Sequence, residues 1–203
     1  MNLLLRTLTA FLLGILITGA MLFLPAGTLD YPGAWLFIAL LFTPILIIGV
    51  VLLVKNPELL RKRLEMKERE KTQQGVVALS GLLLVAAFIV AGLDFRFGWS
   101  HLPTALVIGA SIVLLLSYGM YAEVMRENAY LSRTVEVQEN QTVVDTGLYG
   151  IVRHPMYSVT LLLFLAMPIV LGSIYSFIIF LAYPFIIAKR IRHEEAFLEK
   201  ELP

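Results

Sequence analysis

Cysteine is absent from the 203-residue chain, and charged residues are scarce. Without cysteine the chain can form no disulfide, no thiolate metal site and no cysteine nucleophile. Only 15% of the residues are charged, whereas an average soluble domain has about a quarter. The formal net charge is +1, so overall charge gives no reason to expect a nucleic-acid partner.

Long apolar runs are abundant instead, and 59% of the residues are hydrophobic. A helix needs roughly 20 mostly apolar residues to cross a hydrocarbon core about 30 Å thick. The run at 156–188 is too long for one crossing, and Gly172 and Ser173 divide it into two helices joined by a tight hairpin. The other predicted crossings are residues 3–24, 34–54, 76–93 and 103–121. The sequence therefore predicts an all-α, polytopic membrane bundle of six helices.

The first apolar run could be mistaken for a secretory signal peptide. It is longer than the apolar part of such a peptide, and no small-residue cleavage site of the usual kind follows it. We therefore expect a retained membrane helix at this position.

Basic residues are concentrated in three polar segments, residues 55–75, residues 123–155 and the C-terminal end. Lysine and arginine are enriched in cytoplasmic loops. Six crossings place all three segments on one side, so the pattern predicts that both termini lie in the cytoplasm. For a bacterial chain the membrane would be the inner (plasma) membrane.

The first polar segment predicts a surface helix from Asn56 to Lys71, lying in the headgroup layer. Asn56 can cap it, and Pro57 suits the first helical position. A run of mixed charge is usually a solvated face, which favours this structural interpretation over a catalytic one. Its apolar edge consists of Leu59, Leu60 and Leu64.

The second polar segment contains the most specific pattern. Valines alternate with polar residues at 134–144, which suggests a short hairpin before the fifth crossing. The run Gly-Leu-Tyr-Gly-Ile-Val-Arg-His-Pro-Met-Tyr follows at 147–157. Pro155 marks a helix start, and the positive helix end there favours an anion. Arg153 can bind a carboxylate through two hydrogen bonds, and His154 can donate or accept one.

The last crossing ends with Arg190, Glu194 and Glu195, and helix geometry places Arg190 one turn before Glu194 on the same face. Structural interpretations stay open for all of these residues. Arg153 could be a membrane anchor, His154 could cap the helix, the glutamates could be solvated, and nearby tyrosines could be interfacial. Their occurrence together on one predicted side of the membrane favours a functional site.

The run at 147–157, a helical hairpin, and then Arg190 with the paired glutamates together resemble the isoprenylcysteine carboxyl methyltransferase family. Phospholipid N-methyltransferases share similar elements. The resemblance covers residues 125–200, and residues 56–60 also look like bacterial members. It implies one membrane domain, 1–203, with a helical hairpin and basic interfacial helix at 1–75 and a methyltransferase-like core at 76–203.

The resemblance implies that S-adenosylmethionine donates a methyl group to a lipophilic acceptor, with a carboxylate of isoprenylcysteine type as the leading candidate. The residues it implies for the cofactor site are Val143, Gly147, Tyr149, His154, Pro155, Tyr157, Glu194 and Glu195. The residues it implies for catalysis are Arg153, His154 and Glu195. Those it implies for positioning the substrate are Arg153 and Arg190.

Methyl transfer from a sulfonium needs no metal, because the donor methyl is already activated. The protein must hold donor and acceptor in line and exclude water. A carboxylate acceptor needs no base, whereas an amine or hydroxyl would be helped by His154 or a glutamate. The expected partners are a lipid-like acceptor and membrane lipids, with no nucleic acid and no obligatory protein partner.

Two other classes stay open at this point. One is a membrane reductase of the sterol-reductase type, which would bind NADPH. The other is a non-catalytic scaffold or transporter, although the crossings contain few of the charges that mark a transport path. The identity of the acceptor is also open among a prenylated cysteine, a phospholipid amine and an isoprenoid-like acid.

Overall fold

A computed structural model of the chain describes residues 3–64, 71–128 and 144–201, and every regular element in these ranges is helical. A 3₁₀ turn, Gly147–Gly150, precedes α6. The α-helices are α1 (Leu3–Ala26), α2 (Pro32–Lys55), α3 (Pro57–Leu64), α4 (Lys71–Phe97), α5 (Thr104–Glu127), α6 (Pro155–Val170), α7 (Ile174–Phe180) and α8 (Tyr183–Glu201).

Five segments of the described chain are long and apolar enough to cross a membrane, which confirms a polytopic helical bundle. They are Leu3–Ala26, Pro32–Lys55, Gln74–Phe97, Thr104–Glu127 and Ile174–Ala196. The predicted fifth crossing is shorter than expected, because α6 has only 16 residues. That is about 24 Å of helix, less than the hydrocarbon core. The six predicted crossings are therefore five full-length segments and one short apolar helix.

The division of the long apolar run at Gly172 and Ser173 is confirmed. Gly172 has a φ of 78°, a left-handed conformation that suits glycine. The Ser173 hydroxyl accepts a hydrogen bond from the Ser176 N–H and caps α7. A second interruption, between α7 and α8, was not predicted. Pro184 explains it, because proline has no N–H to continue the helical ladder.

The α3 helix begins as predicted, since the Asn56 side chain accepts a hydrogen bond from the Leu59 N–H at 3.1 Å. Its apolar edge does not lie free in the headgroup layer. Leu59 and Leu60 are only 6% and 5% exposed, so this edge packs against the bundle. The predicted continuation beyond Leu64 falls largely on residues 65–70, outside the described residues.

Some large apolar side chains pack inside the bundle. Many other large apolar side chains lie on its outer surface, as expected for a chain that faces lipid. The central cluster includes Phe37, Phe88 and Phe180. Gly92 permits a close approach of α4 to α1, because a Cβ atom there would lie 2.5 Å from the Leu22 carbonyl oxygen. This contact sets the spacing between α1 and α4.

The loops 27–31, 98–103 and 171–173 meet at one end of the bundle, here called the far end. The buried Asp94 carboxylate accepts hydrogen bonds from the Ser100 N–H and hydroxyl, both at 2.7 Å, and from the Ser173 hydroxyl. The Tyr31 hydroxyl donates to the Leu171 carbonyl oxygen at 2.6 Å. Burial, and secondarily Asp94, raise the pKa of Tyr31, so it stays a neutral donor. These bonds fix the turn between α6 and α7.

Candidate active site

The start of α6 and the last turns of α8 meet at the opposite end, here called the site end. His154 is the residue before α6, and its Nε2 atom lies 2.9 Å from Oε1 of Glu195. The His154 side chain makes no capping hydrogen bond. His154 is thus the N-cap residue of α6 through its backbone, but its side chain does not cap the helix, because the imidazole is directed to the glutamate of another helix.

Arg153 approaches the same carboxylate. Its NH1 atom lies 3.4 Å from Oε1 of Glu195, and its side chain is 83% exposed. The Glu195 side chain is 36% exposed. One carboxylate thus has a histidine and an arginine beside it while remaining open to solvent. Such a pair contributes little to stability and leaves its charges free to exchange partners with a ligand.

Tyr157 joins the two motifs one helical turn further into α6. Its hydroxyl accepts a hydrogen bond from Nε of Arg190 at 3.0 Å and donates one to the Glu194 carboxylate. The Arg190 guanidinium also lies 5.9 Å from the centre of the Tyr157 ring. The predicted placement of Arg190 and Glu194 on one helix face is confirmed by their common partner. Glu194 is therefore held inside a polar network, whereas Glu195 faces outward.

The end of α5 fixes the segment that precedes α6. Asn128 donates a hydrogen bond to the Tyr149 hydroxyl at 2.9 Å, and Thr146 donates one to Oε2 of Glu127 at 2.7 Å. Gly147 has a φ of 56°, and a Cβ atom there would lie 2.8 Å from Cγ of Glu127. Only glycine fits both the backbone conformation and the space. The segment 144–150 is thus seated against the last turn of α5.

The structure brings most of the predicted site residues to the site end. Gly147 and Tyr149 are on the 3₁₀ turn, and Arg153 and His154 follow it. Pro155 is fully buried, so its side chain starts the helix and does not line an open cavity. Val143 and the predicted hairpin at 134–144 lie outside the described residues, except Val144, which is in no strand.

Two residues that hold the site were missed from the sequence. Glu127 and Asn128 looked like ordinary polar residues after a membrane helix. The conspicuous glycine at 147 was the only available signal that another group approaches closely there. Nothing in the local sequence indicated that this group belongs to α5.

A bundle of apolar helices with charged and aromatic side chains gathered at one end defines an integral membrane protein with a candidate active site. Residues 107–200 match the isoprenylcysteine carboxyl methyltransferase (ICMT) family. This match agrees with the predicted family for the segment that contains the whole site. No curated protein and no solved structure gave a significant match.

Proposed function

We propose that the chain transfers a methyl group from S-adenosylmethionine to the carboxylate of a lipophilic acceptor, and that it does so at the site end. The observation that carries the proposal is the solvent-open Glu195 carboxylate, with His154 and Arg153 beside it at a membrane boundary. The family match supports methyl transfer, and the residue chemistry supports this donor and this class of acceptor.

The side chains present suit the groups of this cofactor. The Glu195 carboxylate can accept hydrogen bonds from ribose hydroxyls or from an ammonium group, and Arg153 can bind a carboxylate. Both side chains are open to solvent, so neither needs a large rearrangement to meet a ligand. Tyr149 offers an aromatic face beside the same segment. When bound, the cofactor supplies a sulfonium methyl that is already activated for in-line displacement.

The chain then has to position the reactants and exclude water, since a carboxylate acceptor needs no general base. His154 fixes the Glu195 carboxylate by a hydrogen bond, and the Tyr157 hydroxyl fixes the helix face that carries Glu194. Arg153 balances negative charge where donor and acceptor both bring a carboxylate. In this arrangement His154 is a positioning residue, and it would become a base only for an amine or hydroxyl acceptor.

We further propose that the site end faces the cytoplasm. Arg153, Lys189, Arg190 and Arg192 all lie at this end, and the far-end loops carry only Arg96 near them. An excess of basic residues is typical of the cytoplasmic side. This orientation would let the water-soluble cofactor reach the site from the cytoplasm while the acceptor arrives through the bilayer.

Titration calorimetry of the purified chain in detergent tests the proposal. S-adenosylmethionine should bind with a dissociation constant below millimolar, and NADPH should not bind. The sample must remain helical by circular dichroism throughout. If a folded sample binds NADPH and leaves S-adenosylmethionine unbound, the proposed donor is wrong and the reductase alternative is right.

A further inference from the structure

The Asp94 carboxylate at the far end is buried without a cation beside it. Asp94 is only 1% exposed. Among the side chains that the structure describes, no lysine, arginine or histidine forms an ion pair with it. A buried charge without a counter-ion has to be stabilised by hydrogen bonds. The bonds that Asp94 accepts therefore decide whether its charged form persists inside the bundle.

Two serine hydroxyls connect Asp94 to the start of α7. The Ser100 hydroxyl donates to the carboxylate at 2.7 Å and accepts a hydrogen bond from the Ile174 N–H at 3.1 Å. The Ser173 hydroxyl also donates to the carboxylate, and it accepts a hydrogen bond from the Ser176 N–H at 3.0 Å. Asp94, Ser100 and Ser173, here called the latch, thus attach the first turn of α7 to the end of α4.

Protonation of Asp94 is incompatible with the full set of these bonds. An ionised carboxylate only accepts hydrogen bonds, whereas a protonated one carries a hydrogen of its own. Its Oδ1 atom accepts from the Ser100 N–H at 2.7 Å, and its Oδ2 atom accepts from both serine hydroxyls. A proton on either oxygen competes with a donor that is already bound there. The closed latch therefore requires the ionised form.

The start of α7 also contains a polar group that the closed latch leaves unsatisfied. Ser176 is fully buried, and its hydroxyl oxygen has no hydrogen-bond partner in the described part of the chain. A buried hydroxyl without a partner destabilises the fold. The bonds to Asp94 have to offset this cost, so the attachment of α7 is sensitive to the loss of any one of them.

Aromatic side chains join the same two segments beside the latch. Trp99 comes directly before Ser100 in the chain. Tyr175 comes directly after Ile174, and its ring meets the Trp99 ring edge to face, with the centroids 5.5 Å apart. Both aromatic residues are 49% exposed, and Ser100 is only half-buried, so solvent lies close to the latch. The environment of the Trp99 ring thus reports whether these two segments stay attached.

We propose that the latch is an acid-sensitive device, in which ionised Asp94 holds the start of α7 against the end of α4 and protonated Asp94 releases it. The release separates Ser100 from Ile174 and the Trp99 ring from the Tyr175 ring. Since α7 leads into α8, it also loosens the anchor of the helix that carries the paired glutamates. The latch does not depend on which reaction occurs at the site end.

Other titratable groups around the latch can be distinguished by substitution. Burial and, secondarily, the Asp94 charge raise the pKa of Tyr31, so Tyr31 stays neutral as the pH falls. The helix α7 contributes Tyr175, and the neighbouring ends of α1, α2 and α6 contribute no titratable side chain. The remaining charged or titratable residues at this end are exposed, and they are Asp30, Arg96 and His101. A histidine changes charge near neutral pH, so His101 needs its own control.

Tryptophan fluorescence of the purified chain in detergent tests the latch. The chain has two tryptophans, so Trp35→Phe leaves Trp99 as the single emitter and serves as the parent chain. As the pH is lowered from neutral, the Trp99 emission should shift to longer wavelength, because the ring loses its contact with Tyr175 and meets water. Circular dichroism should show an unchanged helix content. Asp94→Asn cannot ionise, so its emission should be independent of pH.

Ser173→Ala keeps Asp94 and removes one donor, and it tests the latch even where Asp94→Asn does not fold. Its transition should move to higher pH by about one unit, because hydrogen bonds to a carboxylate favour the ionised form. Asp30→Asn and His101→Gln are the controls at exposed positions of the same end. Both should keep the transition of the parent chain.

Several outcomes would refute the latch. One is a folded parent chain whose Trp99 emission does not change with pH, or changes only together with a loss of helix. Another is a transition that persists in Asp94→Asn or disappears in His101→Gln, since a different group would then be responsible. An unshifted transition in Ser173→Ala has the same consequence. None of these measurements requires methyl transfer, so a failure of the proposed function would not affect them.

Discussion

The Nε2 atom of His154 lies 2.9 Å from Oε1 of Glu195, although 41 residues separate them in the chain. The entire hairpin formed by α6, α7 and the membrane part of α8 lies between the two residues. The contact therefore depends on how the hairpin folds back. It joins the motif at 147–157 to the paired glutamates of α8 at the site end.

The His154–Glu195 contact predicts coupled effects on cofactor affinity. His154→Ala and Glu195→Ala should each weaken binding of S-adenosylmethionine by about tenfold or more, because one removes the Glu195 carboxylate and the other removes the imidazole that holds it in place. The double variant should be little worse than either single variant, since the residues act together. Calorimetry measures the affinities. Melting temperatures should change little, because a single ion pair that is still in contact with solvent contributes little to stability.

Glu58→Gln is the control for these variants, since Glu58 is exposed on α3 and contacts neither motif. It should leave affinity unchanged. If His154→Ala and Glu195→Ala unfold the chain while the surviving folded fraction binds the cofactor normally, the contact is structural only.

The Tyr157 hydroxyl predicts a loss of stability when it is removed. Tyr157→Phe leaves the Arg190 and Glu194 side chains without their common partner, which should lower the free energy of unfolding by about 1–3 kcal/mol. Tyr175→Phe is the matched control, because the Tyr175 side chain is 49% exposed. Thermal unfolding in detergent should show a lower melting temperature for Tyr157→Phe alone. Equal melting temperatures for the two variants would show that the bridge contributes nothing.

Gly147 has a left-handed backbone conformation and a close neighbour, Glu127. A substitution there therefore has two costs in stability, backbone strain and a steric clash, and these can be measured separately. Gly147→Ala should lose about 1–2 kcal/mol from backbone strain and more from displacing Glu127. Gly98→Ala has a similar φ of 62° with nothing near its Cβ position, so it should show the strain alone. Denaturant unfolding gives both values. In a Glu127→Ala background the excess cost of Gly147→Ala should disappear, and its persistence would contradict the proposed clash.

Gly92 predicts the sensitivity of the packing between α1 and α4. Gly92→Ala should destabilise the chain by about 1–3 kcal/mol, because a Cβ atom would meet backbone that cannot give way. Gly81→Ala on the same helix has open space around it and should be neutral or slightly stabilising. Melting temperatures of the two variants test this directly. If Gly92→Ala leaves the melting temperature unchanged, α1 and α4 can move apart without a loss of stability.

Local signals predicted much of the architecture correctly. The capping by Asn56, the helix start at Pro155 and the turn at Gly172 each follow from a property of one residue and its near neighbours. The common face of Arg190 and Glu194 follows from helix geometry. The family resemblance then connected the two motifs, which no local rule could do.

Most of the errors and omissions depend on contacts between distant parts of the chain, and the helix break at Pro184 is an exception with a local cause. Apolar periodicity could not show that Leu59 and Leu60 are covered by protein rather than by headgroups. Pro184 interrupts a helix within a continuous apolar run, and hydropathy alone does not reveal that interruption. The link from Glu127 to Thr146 depends on the path of a long intervening segment, which hydropathy does not encode.

The buried carboxylate of Asp94 constrains the order in which the chain can be assembled. Ser100 is close in sequence, but Ser173 follows 79 residues later, and Tyr31 finds its acceptor at Leu171, 140 residues further on. With α1 to α5 alone, Asp94 lacks its bond from Ser173, and the Tyr31 hydroxyl has only the longer approach to the Ala91 carbonyl oxygen at 3.4 Å. The turn between α6 and α7 therefore completes the hydrogen bonding of residues beside α2 and at the end of α4, so the far end reaches its final packing only after this turn has been made.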